Sequence, residues 1–195
     1  MEAHDGSKPT EVDGKRVVAL AAGGSHTIAL VEGGQAWAWG SNSLNELGDG
    51  TNTKRSTPVQ VRLPGKKFVA IAAGRSHTIA LVEGGEVWAW GCNAGRQLGD
   101  GTKFDRAVPV QVRLPPQKFV AIAASRREYS DGSFALSEGG ECWTWGYTGG
   151  LDAPVVPFLT QKEVPEELHW DALDSMQREL RLLAEGSWRY AAEGL

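Results

Sequence analysis

Residues 17–64 read VVALAAGGSHTIALVEGGQAWAWGSNSLNELGDGTNTKRSTPVQVRLP, and residues 69–115 read VAIAAGRSHTIALVEGGEVWAWGCNAGRQLGDGTKFDRAVPVQVRLP. His26 maps onto His77, Trp37 onto Trp88, Trp39 onto Trp90 and Pro58 onto Pro109, each at an offset of 51. A third copy opens with FVAIAA at 119–124 but has no Ser-His-Thr, and it carries four extra residues before Trp143 and Trp145. Its long loop is deleted: Gly146 reaches Pro154 in eight residues, where Gly40 to Pro58 and Gly91 to Pro109 each take eighteen. Self-similarity at a period of about 50 residues marks a repeat architecture.

Within one copy the signals are those of short antiparallel strands. Thr27 to Val31 alternates, Ile28 and Leu30 facing one way and Ala29 and Val31 the other, and Gly33-Gly34 turns the chain into Ala36 to Gly40. Period two places Trp37 and Trp39 on one face with Ala38 opposite. Val17 to Ala22 reads as a buried strand before this hairpin, and Val59 to Arg62, opened by Pro58, as an outer edge strand. Four strands per copy make a propeller blade. The expected fold is all-β, a partial β-propeller of about three four-stranded blades with a C-terminal amphipathic α-helix. The expected boundaries are a polar segment at 1–14, repeats at 15–158 (15–64, 65–115 and 116–158) and a helical tail at 159–195.

A strand ending in Ala-Ala-Gly, then S-H-T-x-A-L, a Gly-Gly turn, W-x-W-G and a loop N-x-x-x-x-L-G-D-G-T resembles the regulator of chromosome condensation repeat. A kelch propeller also repeats at about 50 residues, but its order of aromatic and double glycine fits less well. The resemblance implies a ring of about seven blades, and propellers begin at about four. Three blades leave two open apolar faces, so the expectation is that the chain is one piece of a larger propeller, that it self-associates with other copies through those faces, or that its ends are covered. The resemblance also implies protein partners, a small GTPase or a ubiquitin-pathway protein among them. It offers three functions: a non-catalytic interaction module, guanine-nucleotide exchange on a small GTPase with chromatin contact, and UV-B sensing. The UV-B receptors of this family use a G-W-R-H-T motif, and the aligned stretches at 23–27 and 74–78 are GGSHT and GRSHT, without that tryptophan.

The tail follows a different period. Leu173, Met176, Leu180 and Leu183 recur at spacings of three, four and three between Pro165 and Gly186, which predicts an amphipathic helix of about five turns. This stripe is expected to pack on the exposed face of the third copy, with Trp188 and Tyr190 anchoring its end. From residue 160 onward there are eight acids against four bases, so the net charge of −4 falls in the tail and the repeats are neutral. Phosphate binding needs a concentrated basic surface, and direct nucleic-acid contact is therefore not expected. Residues 1–10 lack the apolar core of a secretory signal and the longest apolar runs are too short to span a bilayer, from which a soluble cytoplasmic or nuclear protein is expected, with no membrane partner. Cys92 and Cys142, in non-equivalent places, read as two reduced thiols.

No catalytic, cofactor or metal residue is assigned. His26 and His77 adjoin Ser25 and Ser76, but neighbours on a strand point to opposite faces. These histidines are expected to hydrogen-bond a neighbouring backbone group, and Trp37, Trp39, Trp88, Trp90, Trp143 and Trp145 to fill the blade cores. Asp49 and Asp100 are single carboxylates in D-G-T turns of separate copies. Function in propellers sits on loops, so the variable positions Asn42, Leu44, Asn45, Asn93, Arg96, Lys103, Phe104 and Arg106 are the candidate partner contacts.

Overall fold

The computed structural model describes residues 11–126 and 131–147 and the backbone of 158–160. The first sheet runs in the order β1 (Glu11–Val12), β2 (Lys15–Ala22), β3 (His26–Val31), β4 (Gln35–Gly40), β5 (Arg55–Gln60). The second is β6 (Phe68–Ala73), β7 (His77–Val82), β8 (Val87–Gly91), β9 (Arg106–Gln111), and the third is β10 (Phe119–Ala124), β11 (Gly132–Ser137), β12 (Cys142–Gly146), β13 (Phe158–Thr160). All pairings are antiparallel between sequence neighbours, and β2, β6 and β10 lie side by side, which leaves β5, β9 and β13 at the far edges. These are three propeller blades.

Each sheet has an upstream and a downstream face, set by the period of two. On the first sheet the downstream residues Ile28, Leu30, Ala36 and Ala38 pack against Phe68, Ala80, Val82 and Trp90 of the second. Ile79, Leu81, Val87 and Ala89 of the second pack in the same way against Phe119, Ala135 and Trp145 of the third. The tryptophans of each W-x-W thus point upstream, and the small Ala38 and Ala89 between them in the first two sheets point downstream. Trp90 and Trp145 are fully enclosed, each holding roughly 150–250 Å² of surface away from water. Trp39, with no sheet upstream among the described residues, is only half-buried.

Several details differ from the expectation. Val17 to Ala22 is not a buried strand: β2 alternates half-buried with exposed, and Leu20 is 59% exposed where its equivalent Ile71 packs on the first core. The reason is that no sheet lies upstream of it among the described residues. Gln35 is already paired with Val31, so the turn holds three residues, Glu32-Gly33-Gly34, with φ of 88° and 79° at the glycines. The outer strands open three residues before their prolines, at Arg55 and Arg106, and tolerate Pro58 and Pro109 because they are edges. The polar segment is part structure: Val12 pairs with Lys15 across Asp13-Gly14, both at positive φ (55° and 68°), a two-residue hairpin turn of the primed type. The third blade also runs past its expected end, since Phe158–Thr160 pairs with Cys142–Thr144. The predicted helix between Pro165 and Gly186, with Trp188 and Tyr190, lies outside the described residues.

Candidate functional site

The strand register brings together one side-chain set at each blade joint. His26 opens β3, and Thr78 stands opposite Trp90 on the next sheet. His26 Nε2 lies 3.0 Å from Thr78 Oγ1, Thr78 Oγ1 donates to the Glu46 carbonyl at 3.1 Å, and Trp90 Nε1 donates to the same carbonyl at 2.9 Å. The second joint repeats this with His77 Nε2 to Ser133 Oγ at 2.9 Å, Ser133 Oγ to the Gln97 carbonyl at 2.8 Å and Trp145 Nε1 to Gln97 O at 2.9 Å. The hydroxyl has one proton and spends it on the carbonyl, so it accepts from the ring, which fixes the Nε2–H tautomer of each histidine. The histidines therefore bond a hydroxyl of the next blade, not the neighbouring backbone group expected from the sequence. The repeated Thr after His carried that signal, and Ser133 stands in for it in the third copy.

The imidazole–hydroxyl pair has the form of an activated nucleophile, but its surroundings rule that out. Thr78 and Ser133 are fully buried and their protons point away from the ring. Burial lowers His26 to a pKa of about 4, and burial together with repulsion from His26 lowers His77 to about 3, so both are neutral spacers. Gly23 and Gly74, the last residues of Ala-Ala-Gly, lie flat against these rings: a Cβ on Gly23 would fall 2.5 Å from His26 Nδ1, and one on Gly74 would fall 2.9 Å from His77 Nε2. This close approach is why the motif ends in glycine.

The β4–β5 and β8–β9 loops are built by a second repeated set. Asn42 Nδ2 reaches Asp49 Oδ1 at 3.3 Å and the carbonyls of Thr51 and Thr53 at 2.9 and 3.2 Å, while its Oδ1 accepts from Leu47 N at 3.0 Å. Asn93 does the same with Asp100, Thr102, Phe104 and Leu98. Asp49 and Asp100 each accept from the Thr two residues on and from Arg55 or Arg106. Although burial alone raises these carboxyls, the hydrogen bonds and the guanidinium together hold both below the usual carboxylate range. The D-G-T stretch is thus the closure of a hydrogen-bonded loop, beyond the simple turn read from the sequence.

Asn42 and Asn93 were expected as partner contacts. Both are fully buried, because a side chain with two donors and an acceptor satisfies backbone groups inside a loop that has no sheet to pair with. Arg106 is likewise turned to Asp100, at 2.6 Å, with about a third of its side chain exposed. The remaining candidates are accessible: Leu44 is 36% exposed and Phe104 73%, Lys103 is exposed, and Asn45 and Arg96 are half-buried at positive φ of 65° and 61°. Asn45 suits that conformation and Arg96 is strained there. Among the described residues no three His, Cys, Asp or Glu stand together as metal ligands. The Cys92 thiol is pushed up, chiefly by burial, and the half-buried Asp131 carboxyl is raised by burial as well.

The chain matches the family described as "Regulator of chromosome condensation (RCC1) repeat" over residues 33–81 and 84–127, and a second model of the same description over 17–46 and 68–97. It is 39% identical over 132 residues to the RCC1 domain-containing protein RUG3, mitochondrial, of Arabidopsis thaliana, covering 67% of this chain and 29% of RUG3. It is 34% identical over 137 residues to the human probable E3 ubiquitin-protein ligase HERC4, covering 69% of this chain and 13% of HERC4. The structure superposes on Prp20p of Saccharomyces cerevisiae with a TM-score of 0.61 at 25% identity, covering 75% of this chain and 38% of Prp20p. The chain spans less than a third of the length of these two curated relatives.

Proposed function

The chain belongs to the regulator of chromosome condensation repeat family, and from that premise we propose that it is a non-catalytic protein-interaction module whose contact surface is the tips of the β4–β5 and β8–β9 loops. One observation carries this reading. Phe104, 73% exposed, has its N–H held by Thr102 Oγ1 at 3.3 Å and its carbonyl held by Asn93 Nδ2 at 3.2 Å. A large aromatic presented on a fixed backbone gives contact area at low entropic cost, which is the character of an interface anchor. Lys103 beside it, with Leu44, Asn45 and Arg96 on the loops' other bends, supplies the surrounding polar and aliphatic contacts.

The partner is a protein, with two precedents among similar chains: HERC4 is a probable ubiquitin ligase and Prp20p has binding properties toward Gsp1p and histones. We propose a nuclear or cytoplasmic location for the complex, RUG3's mitochondrial one notwithstanding. The test is recovery of bound proteins by the intact chain and by Phe104→Ala, which touches no core. A protein retained by the first and lost by the second supports the reading, and equal recovery by both refutes the assignment of Phe104. Accelerated release of labelled nucleotide from Gsp1p on adding the chain would instead favour an exchange factor.

A further inference from the structure

The cations of the two linkers between sheets divide into paired and unpaired. After β5, Lys66 and Lys67 reach Glu86 and Glu83 of the β7–β8 turn at 2.7 and 3.8 Å, and after β9, Lys118 reaches Glu138 at 2.8 Å. Arg62 and Arg113 stand in the same two linkers but meet no carboxylate among the described residues. Each lies across a loop glycine instead: a Cβ on Gly50 would fall 2.8 Å from Arg62 Nη1, and one on Gly101 would fall 2.7 Å from Arg113 Nη1. Both arginines are exposed. Two guanidinium groups are thus held against the loop backbone with their N–H donors turned to water.

These groups flank the exposed apolar side chains of the second sheet. Gly101 lies three residues before Phe104, and the N–H of Gly50 donates at 2.9 Å to the carbonyl of Ala107, three residues after it. Arg113 and Arg62 are thereby brought to the two ends of the segment that carries Lys103, Phe104 and Val108, the last of these 40% exposed. The contact of arginine with glycine is common to both copies, whereas Phe104 and Val108 replace Thr53 and Thr57 and are particular to the second. The nearby carboxylates are turned inward: Asp49 and Asp100 are taken by Arg55 and Arg106, and Asp105 Oδ1 accepts from Asn93 N at 2.7 Å. The surface therefore presents apolar area with outward cations around it, and charge complementarity of this kind selects a partner and speeds the encounter. A nucleic acid needs cations in a track along its phosphates, whereas these surround an apolar centre. On the reading that the loop tips are the contact surface, we propose that the protein partner docks there through an acidic segment, with an apolar side chain against Phe104 and Val108 and carboxylates on Lys103, Arg62 and Arg113.

The probe is the fluorescein-labelled peptide Asp-Glu-Leu-Glu-Asp, with Asn-Gln-Leu-Gln-Asn and Lys-Arg-Leu-Arg-Lys as its neutral and basic counterparts, each titrated with the full chain and read by fluorescence anisotropy. The acidic peptide is expected to bind, and to be released at about 1 M salt, where the Debye length is about 3 Å. Arg62→Gln with Arg113→Gln is expected to weaken it at least about tenfold. Lys66→Gln with Lys118→Gln makes an equal change of net charge at cations that already have carboxylates, and should leave the affinity unchanged. Phe104→Ala separates the surface from its charge. Binding lost in Phe104→Ala but kept in the double arginine variant overturns the acidic partner and leaves the loop surface standing, and so does a preference for the neutral or basic peptide that Phe104→Ala abolishes. Acidic binding that survives Phe104→Ala lies elsewhere on the chain and overturns the proposal, as does failure of all three peptides to bind. Two further results would name a different occupant and overturn it: duplex DNA held more tightly than the peptide through the same arginines, or a carbodiimide cross-link in the free chain between Lys103 and a carboxylate of residues 161–195.

Discussion

Acidification from pH 6.5 toward 5 is expected to loosen the blade joints before it disturbs Asp49 or Asp100. An unfolded histidine titrates near pH 6.5, whereas His26 and His77 in the folded joints titrate at about 4 and about 3. A lowered native pKa means that the unfolded chain binds the proton first. The stability of the neutral joint is full above pH 6.5 and falls as pH drops toward the native values. At pH 5 each histidine is almost wholly protonated in the unfolded chain and almost wholly neutral in the native one. At about 1.4 kcal/mol per pKa unit, this is a loss of about 2 kcal/mol per histidine, or about 4 for the pair. Asp49 and Asp100, whose carboxyls are held low by their threonine and arginine partners, lose their contribution only below about pH 4, so they stay silent in this window. Asp131 moves the other way, since its raised carboxyl gains stability on protonation. Urea unfolding at half-unit steps from pH 7 to 5 reads the slope, which near pH 5.5 corresponds to uptake of nearly two protons on unfolding. His77→Asn should halve that slope whatever it does to the stability at pH 7. A slope below half a proton in the natural chain, or one unchanged in His77→Asn, would refute the joint as the source.

Gly74→Ala is expected to cost about 2–4 kcal/mol, because the new Cβ meets the enclosed His77 ring and the ring has nowhere to go. Gly84→Ala, with open space but a φ of 94°, should cost only about 1 kcal/mol through backbone strain; thermal melting of the two separates crowding from conformation. Asn93→Ala removes the centre of the β8–β9 loop and is expected to cost about 2–3 kcal/mol, with faster amide exchange at 98–104. Lys103→Ala, on the same loop and exposed, should leave both readings within experimental error of the natural chain. Trp145→Phe keeps the packing but withdraws the indole N–H from Gln97 O, which Ser133 still serves, so a loss of about 1 kcal/mol is expected from the same melts.

The blade itself was legible because it rests on local rules that a repeat prints two or three times over: period two, double-glycine turns, and prolines confined to edges. The face on which each tryptophan lies followed from Trp37 and Trp39 being two apart, and the structure places Trp88 and Trp90 together against the first sheet's core. What could not be read was any partner distant in sequence. His26 meets Thr78 at a separation of 52 residues and Trp90 meets the Glu46 carbonyl at 44, and neither a main-chain carbonyl nor a sheet-to-sheet offset is visible in a residue string. The misreading of Asn42 and Asn93 has a related cause. Variable loop sequence suggested exposure, but these two asparagines and the D-G-T residues were the invariant part of the loops, and repetition at fixed spacing is better evidence of internal bonding than of contact. Phe104, where the first copy has Thr53, is one of several positions at which the two loops differ on the same frame.

The decay of the third copy then has a physical pattern. Glu46 O and Gln97 O are the points at which each long loop is clamped, and in both cases the clamp belongs to the next blade: Trp90 with Thr78, and Trp145 with Ser133. A blade thus holds the loop of its predecessor by its upstream face and is held by its downstream residues. The third blade keeps the whole upstream set, including a hydroxyl at 133 and an indole at 145, and has lost the histidine and the loop that serve a successor. Its retained residues are those needed to fix the β8–β9 loop on which Phe104 stands, so breaking them should act at a distance. Ser133→Ala with Trp145→Phe leaves every residue of that loop in place, yet both donors to Gln97 O are gone. The loop amides should exchange faster and any partner lost by Phe104→Ala should bind more weakly to the double variant, while the first joint and its β4–β5 loop stay unchanged. Partner binding at full strength in a double variant whose β8–β9 loop exchanges freely would show that Phe104 does not depend on a fixed frame.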